Sequence, residues 1–402
     1  MSTPVARPLT APERAERSAA PAFGTAFTEH MVSARWNPEQ GWHEAELVPY
    51  GPLLLDPATV GLHYGQVVFE GLKAFRSHTG EVAVFRPDAH AVRMRASARR
   101  LMMPEPPGEL FLAAVDALVA QDQEWIPDDP GMSLYLRPIL FASERTLALR
   151  PAREYRFLMV AFITEGYFGA AQRPVRVWVT DEYSRAAAGG TGAAKCAGNY
   201  AGSLLAQEEA QRKGCDQVVW LDPVERRWVE EMGGMNLFFV YGSGDSARLV
   251  TPPLTGSLLP GVTRDALLRL APTLGVPVSE APLSLERWRA DCASGAITEV
   301  FACGTAARIS PVNEVSTKDG SWTIGGDGTG GRTADGDGTG GRTAGGDGTG
   351  GRTADGNRAG VNTVGEITGR LSAALFGIQR GQLPDPHSWM RPVSPARQSA
   401  TT

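Results

Sequence analysis

Cysteine is scarce in this chain, with 4 in 402 residues, and none stands in a C-x-x-C pair. That spacing offers neither a zinc site nor a redox dithiol. Cys196, Cys215, Cys292 and Cys303 are scattered and read as reduced thiols, mostly in the core. The 6 histidines show no His-Glu-x-x-His or similar ligand spacing, so no metal is assigned. Positive charge is short as well: 39 Lys and Arg against 44 Asp and Glu give a formal net charge of -5. Nucleic acid and anionic membranes attract basic surfaces, so neither is an expected partner. No stretch approaches the ~18 apolar residues of a spanning helix, and the N-terminus has no apolar core of signal-peptide length. A cytoplasmic location is therefore expected.

What the chain does contain is an ordinary globular mixture, 42% hydrophobic and 21% charged, long enough for two domains. Residues 1–20, rich in Ala, Pro, Arg and Ser, read as a flexible tail, and 394–402 as another. Residues 21–164 read as a small N-terminal domain, 165–174 as a linker, and 175–393 as a larger C-terminal domain. Within the larger one, 325–360 collapse into a Gly-rich ten-residue repeat. Calcium-binding Gly/Asp repeats run on a period of about nine with a large apolar residue in each, and this repeat has neither feature. It reads as a flexible insertion in a surface loop, since lengthening a loop costs little.

Alternation and end signals predict strands over 28–36, 44–48, 81–85, 133–138, 155–163, 175–180, 217–221, 228–230 and 298–303. Helices are expected from near Asp88, over 110–125, 200–213 and 265–274, and over 364–379. The arginines of the helix from Asp88, namely Arg93, Arg95, Arg99 and Arg100, read as a solvated face. In the strand from Ser133, Tyr135 and Arg137 share one face and could together hold a carboxylate.

Lys195 stands out. It lies in Arg185-Ala-Ala-Ala-Gly-Gly-Thr-Gly-Ala-Ala-Lys-Cys-Ala-Gly-Asn-Tyr200, a run of small residues between a predicted strand and a predicted helix. Glycines let a ligand come close, and a lysine kept from bulk water can lose its proton and attack a carbonyl as a Schiff-base former. A phosphate-binding P-loop would need Gly-Lys-Ser/Thr, whereas Lys195 stands between Ala194 and Cys196. Glu231 enters a Gly-Gly turn between hydrophobic strands, where a carboxylate is costly unless it meets a positive partner. The turn before the helix at Asp265 offers free helix N-terminal amides of the kind that bind phosphate.

Six pieces in order carry a resemblance: Phe69-Glu-Gly-Leu-Lys-Ala-Phe75, Tyr135-Leu-Arg-Pro138, Lys195 with Gly198-Asn-Tyr200, Glu231-Met-Gly-Gly-Met-Asn236, Leu259-Pro-Gly-Val-Thr-Arg264 and Gly304-Thr-Ala306. From about Phe23 to Pro392 the chain resembles the branched-chain amino-acid aminotransferases, pyridoxal-phosphate enzymes of fold type IV. That resemblance implies an α+β fold of two domains, a small α/β N-terminal domain and a larger C-terminal domain with a β-barrel-like core. It implies pyridoxal 5'-phosphate as cofactor and a homodimer. Lys195 would bind the cofactor aldehyde and carry the proton to and from the substrate α-carbon. Glu231 would pair with the pyridine nitrogen, and Tyr200 would bond the phenolic oxygen. Arg93, Val262, Thr263 and Thr305 would hold the phosphate, which reassigns one of the four arginines. The substrate carboxylate would rest on Thr305 and Ala306, with Tyr64 reaching in from a neighbouring subunit. Phe23, Phe69, Tyr135 and Tyr167 would wall the apolar pocket, and Arg137 would take the distal carboxylate of glutamate or 2-oxoglutarate.

Two departures mark this chain. Ala307 and Ser310 stand where some members carry a redox C-x-x-C, and the Gly-rich repeat lies outside the family pattern. The implied reaction is a ping-pong amino transfer between leucine, isoleucine or valine and 2-oxoglutarate. D-amino-acid aminotransferases and aminodeoxychorismate lyases share the scaffold and remain the alternative, as does a binding protein that has lost the chemistry.

Overall fold

The computed structural model describes residues 9–19, 22–129, 131–165, 173–325 and 364–394. Tyr167 and all but the first residue of the Gly-rich repeat lie outside them. Where only a tail was expected, α1 (Ala11–Ser18) forms, with Pro12 in its first turn and Thr10 and Glu13 completing a capping box.

The N-terminal half then builds β1 (Phe27–Asn37), β2 (Gly41–Pro49), α2 (Val60–Tyr64), β3 (Val67–Phe69), β4 (Leu72–Arg76), β5 (Val82–Phe85), α3 (Pro87–Arg100), α4 (Gly108–Gln121), β6 (Ser133–Ala142) and β7 (Tyr155–Thr164). These strands form one antiparallel sheet in the order β5-β4-β6-β7-β1-β2, with β3 beside β6. Period-two alternation sorts its faces. On β6 and β7, Leu134, Leu136, Phe157, Met159 and Ala161 enter a core with Phe111, Val115 and Leu118 of α4. Tyr135 and Arg137 take the opposite face, as their spacing predicts.

Downstream come β8 (Val175–Val179), α5 (Ala197–Ala201), α6 (Leu204–Arg212), β9 (Gln217–Leu221), β10 (Val229–Met232), β11 (Met235–Tyr241), β12 (Arg248–Thr251), α7 (Val262–Thr273), β13 (Val278–Glu280), α8 (Leu285–Ala293), β14 (Ile297–Gly304), β15 (Arg308–Thr317), β16 (Gly320–Thr323), α9 (Glu366–Gln379) and β17 (Met390–Pro392). The second sheet runs β10-β9-β8-β15-β14-β11-β12-β13, and an added β10–β11 pairing closes six of its strands into a ring. This is the barrel-like core expected of an α+β chain. Alternation again divides each strand: Leu237 and Phe239 of β11 join Val300 and Ala302 of β14 inside the ring. Phe238, Phe301 and Cys303 point the other way, into a cluster with Phe75 and Phe85 of the first sheet and Leu371 of α9. Each such fully buried large side chain contributes roughly 1.5–3 kcal/mol.

Two features depart from expectation. The single helix expected over 200–213 is two, α5 and α6, divided at Gly202 and Ser203. The C-terminal strand β17, expected with the larger domain, pairs with β5 and so completes the first sheet. Between β8 and β9, which pair in parallel, the chain must cross over rather than turn back. That crossover carries Lys195.

Candidate active site

The crossover is pinned from three sides. Asn199, on α5, donates from Nδ2 to the carbonyls of Thr191 at 2.8 Å and Ala194 at 3.1 Å. The Lys195 amide donates to Ser97 Oγ of α3 at 2.9 Å, and its carbonyl accepts from the Phe69 amide at 3.0 Å. With its backbone fixed, the Lys195 side chain donates from Nζ to Tyr200 Oη at 2.7 Å and lies 4.8 Å from the Phe69 ring centroid. Phe69, Lys195, Asn199 and Tyr200 line a cavity of about 470 Å³, within the roughly 300–1,000 Å³ range of small-molecule sites.

Glu231 reaches the same region from β10, two residues before Gly233 of the Gly233-Gly234 hairpin turn, where Gly233 takes φ +58°. It is 1% exposed. Its carboxylate accepts from the Leu259 amide and lies 3.4 Å from the Arg185 Nε. Burial pushes the Glu231 carboxyl up, while Arg185, the Leu259 amide and Lys195 pull it back, and burial prevails. Glu231 itself does not form the cavity wall; Arg185 does. That guanidinium, to which the sequence reading gave no role, also donates to the carbonyls of Gly192 at 3.2 Å and Ser257.

Arg93 is buried, so the solvated-face reading fails for it. The reason is Glu70, which is fully buried and takes the Arg93 fork at 2.7 Å to Nε and 2.8 Å to Nη2. His90 Nδ1 lies 2.8 Å from the same carboxylate, and the Gly71 amide donates to it at 3.2 Å. Burial would raise the Glu70 carboxyl, but the charge and hydrogen bonds of Arg93, aided by His90, outweigh it and hold it well below the ordinary range. Arg95 and Arg99 pair with Glu105 on the exposed surface, and Arg100 donates to the Gly189 and Gly190 carbonyls. Those three keep the surface role.

Beside Arg93, α7 begins at Val262 and Thr263, whose amides have no partner within the helix. Gly261 is the residue before it, and any Cβ there would strike Asn236 Oδ1. Asn236 in turn donates to the Leu259 carbonyl at 3.2 Å, tying β11 to this turn. Thr305, from the turn between β14 and β15, lines the cavity with Arg93, Val262 and Thr263.

Phe23, Phe69, Tyr135, Arg137, Thr305 and Ala306 all line the cavity. Phe23 meets Tyr135 edge-on at 5.2 Å, and Tyr135 stacks on Phe162 at 4.8 Å. Gly71 leaves the room: a Cβ at that position would run into the Tyr135 hydroxyl. Arg137 lies 5.0 Å from the Phe69 ring centroid, and its buried Nε has no hydrogen-bond partner. Tyr64 stands apart, 48% exposed and donating to the Leu147 carbonyl at 2.8 Å. Glu70, His90, Ser97, Arg185 and Asn199 went unassigned in the sequence, where no spacing marks them. For Glu70 and Asn199 the only signal is membership of quoted motifs.

A sequence profile described as amino-transferase class IV matches residues 67–315. The branched-chain-amino-acid aminotransferase of Mycolicibacterium smegmatis is 50% identical over 384 residues, covering 95% of both chains. The chain belongs to the class IV aminotransferases, in the branched-chain group. Among solved members of the family, the branched-chain amino acid aminotransferase of Escherichia coli superposes with a TM-score of 0.67 at 28% identity, covering 90% of this chain and 99% of that one. The T.th. branched-chain amino acid aminotransferase, solved with pyridoxamine 5'-phosphate, gives 0.65 at 25% identity, with coverage of 89% and 98%. The family match spans Arg93, Lys195, Tyr200, Thr263 and Thr305, which line the cavity, and Glu231, which meets that wall through Arg185.

Proposed function

We propose that this chain transfers the amino group reversibly between L-leucine, L-isoleucine or L-valine and 2-oxoglutarate, giving branched-chain 2-oxo acids and L-glutamate, with pyridoxal 5'-phosphate as cofactor. The observation that carries this reading is the Lys195 Nζ, 2.7 Å from Tyr200 Oη in a cavity whose wall also holds the unpartnered Arg137 Nε. The donor set fits the cofactor. Arg93, the first amides of α7 and Thr305 suit a phosphate, Tyr200 Oη suits a phenolic oxygen, and a carboxylate buried as Glu231 is gains from a cationic ring nitrogen. When bound, the cofactor supplies an aldehyde and an electron-withdrawing ring.

The protein supplies the rest. Lys195 holds and returns the proton of the substrate α-carbon, and the Tyr200 hydroxyl orients its amine. Phe23, Phe69 and Tyr135 exclude water around a branched side chain, and Arg137 receives the distal carboxylate of the dicarboxylic partner. One pocket serves both reactants in turn, in ping-pong order. A methylene discriminates by only about 1–3 kcal/mol in such a pocket, so all three branched substrates are accepted.

The enzyme works as a homodimer. Supporting this, Leu54 is 99% exposed, Leu149 85% and Leu147 55%, and Leu147 is the residue that Tyr64 bonds. A second copy over this patch would bring Tyr64 towards its own site. Four buried, unpaired cysteines support a reducing, cytoplasmic setting.

The test is incubation with L-leucine and 2-oxoglutarate, followed by assay of both products. Stoichiometric L-glutamate and 4-methyl-2-oxopentanoate are expected. Turnover of D-alanine with no glutamate from leucine would assign the chain to the D-amino-acid branch instead.

A further inference from the structure

Behind the wall formed by Gly304 and Thr305 lies a second cavity, of about 390 Å³, between β5, β15 and α9. Its lining is mixed in chemistry. Lys73, Arg308, Thr263 and Thr305 line it together with Phe85, Ile309 and Leu375, and the Arg308 guanidinium lies 5.3 Å from the ring centroid of Phe376, another lining residue. Lys73 is 3% exposed, yet its Nζ meets only the Ala306 carbonyl, at 3.3 Å. Arg308 donates to the Gly131 carbonyl, and its buried Nε has no partner. Neither cation forms an ion pair with a carboxylate among the described residues.

Lys73 is buried without a carboxylate partner among the described residues, and the half-buried Arg308 feels the Asp129 charge without an ion pair to it; two such cations facing one cavity compound each other's cost. Burial, with Arg308 and Arg380 close by, pushes the Lys73 ammonium well below the usual lysine range. Arg308 also holds φ +60°, a left-handed conformation that non-glycine residues adopt at a cost. The fold therefore bears both electrostatic and backbone cost to set cations at this cavity, and a bound anion relieves the first.

We propose that this cavity is a second binding site, distinct from the amino-transfer site, that takes a small monocarboxylate with a branched apolar tail. The carboxylate lies against Lys73 and Arg308, and the tail against Phe85, Ile309 and Leu375. An inorganic anion would satisfy the cations but leave the apolar lining uncovered; a neutral hydrocarbon would do the reverse. The assignment rests on this cavity's own lining and stands apart from the reaction assigned above. Occupation would bear on the neighbouring site through the Ala306 carbonyl that Lys73 holds and through Thr305, which lines both cavities.

The test is calorimetric titration of the full-length, cofactor-loaded protein with 4-methylvalerate, a branched carboxylate that carries no amino or oxo group. Two carboxylates per chain are expected, one in each cavity. Ala373→Phe, which adds bulk at the α9 edge of the second cavity only, should leave one, with leucine turnover within about twofold of the parent. Lys73→Met should also leave one, by removing the charge rather than the space. Inorganic phosphate should not compete for the second site. A single carboxylate per chain in the unsubstituted protein, two retained in both variants, or displacement by phosphate would each overturn the proposal. Loss of amino transfer with two sites intact would count against the reaction, not against this cavity.

Discussion

Substituting Glu70 tests the electrostatic frame of the site. The carboxylate is wholly buried and accepts four contacts: 2.7 and 2.8 Å from Arg93, 2.8 Å from His90 and 3.2 Å from the Gly71 amide. A hydrogen bond to a charged group is worth about 1.5–3 kcal/mol, but contacts to one carboxylate do not add. Breaking a buried pair by removing one partner costs about 3–5 kcal/mol, because the other charge stays buried and uncompensated. Glu70→Leu should therefore destabilise by about 3–5 kcal/mol, and Glu70→Gln, which keeps the shape, by about half of that. Because the folded-state carboxyl is held well below its ordinary range, its contribution is present above the unfolded value of about 4.3 and fades as pH falls towards the folded one. The gap between parent and Glu70→Gln should accordingly be widest near neutrality and close as pH drops below that unfolded value. Denaturant unfolding at several pH values, read by fluorescence and by cofactor release, measures both. A Glu70→Gln protein with an unchanged midpoint and unchanged cofactor retention at neutral pH would refute the reasoning.

Lys195→Ala should lower amino transfer by at least about 10²–10⁴-fold, the contribution of a positioned acid–base group, and abolish the cofactor's visible absorbance; full activity would remove Lys195 from the mechanism. Arg185→Met removes a cation that pulls the Glu231 carboxyl down, so that carboxyl should rise further and the acidic limb of the pH–rate profile should move to higher pH. A limb that stays in place would sever Arg185 from Glu231. For Arg137→Met, loss of one charge-assisted contact worth about 1.5–3 kcal/mol should raise KM for 2-oxoglutarate by about 10–150-fold while leaving leucine nearly unaffected. Equal losses for both substrates would mean that Arg137 shapes the pocket rather than reading the second carboxylate.

Legibility in the sequence tracked distance along the chain. Strands such as β6, β7 and β11 show in their alternation because one face of each meets a core, a property written within a few residues. Lys195, Tyr200 and the Gly233-Gly234 turn lie inside short motifs and are legible there. Arg93 was misjudged from its helix because its burial depends on Glu70, 23 residues upstream, and on the Pro260 carbonyl far downstream. Nothing in a run of arginines tells a buried one from its exposed neighbours. Arg185 meets Glu231 across 46 residues, and β17 finds β5 across some three hundred, with no periodicity linking either pair. The break between α5 and α6 was visible as Gly202-Ser203 yet yielded to the stronger helix formers around it.

The two cavities differ in how their cations are balanced, and the difference bears on what each can bind. In the amino-transfer site Arg93 is neutralised by Glu70 and Arg185 by Glu231, so both guanidinium groups are held in place before any ligand arrives. Glu70 occupies the Nε and Nη2 edge of Arg93, and the Pro260 carbonyl takes Nη1. A phosphate at the proposed cofactor site would therefore meet a pair with little net charge and would draw much of its attraction from the amides of Val262 and Thr263 and from the Thr305 hydroxyl. Glu70 thus acts by fixing where Arg93 points, at the expense of its field. Orientation without excess charge suits a site that must also release an amino acid and admit an oxo acid in every cycle. Lys73 and Arg308 form no such ion pair among the described residues, which leaves their field to the anion proposed for that cavity.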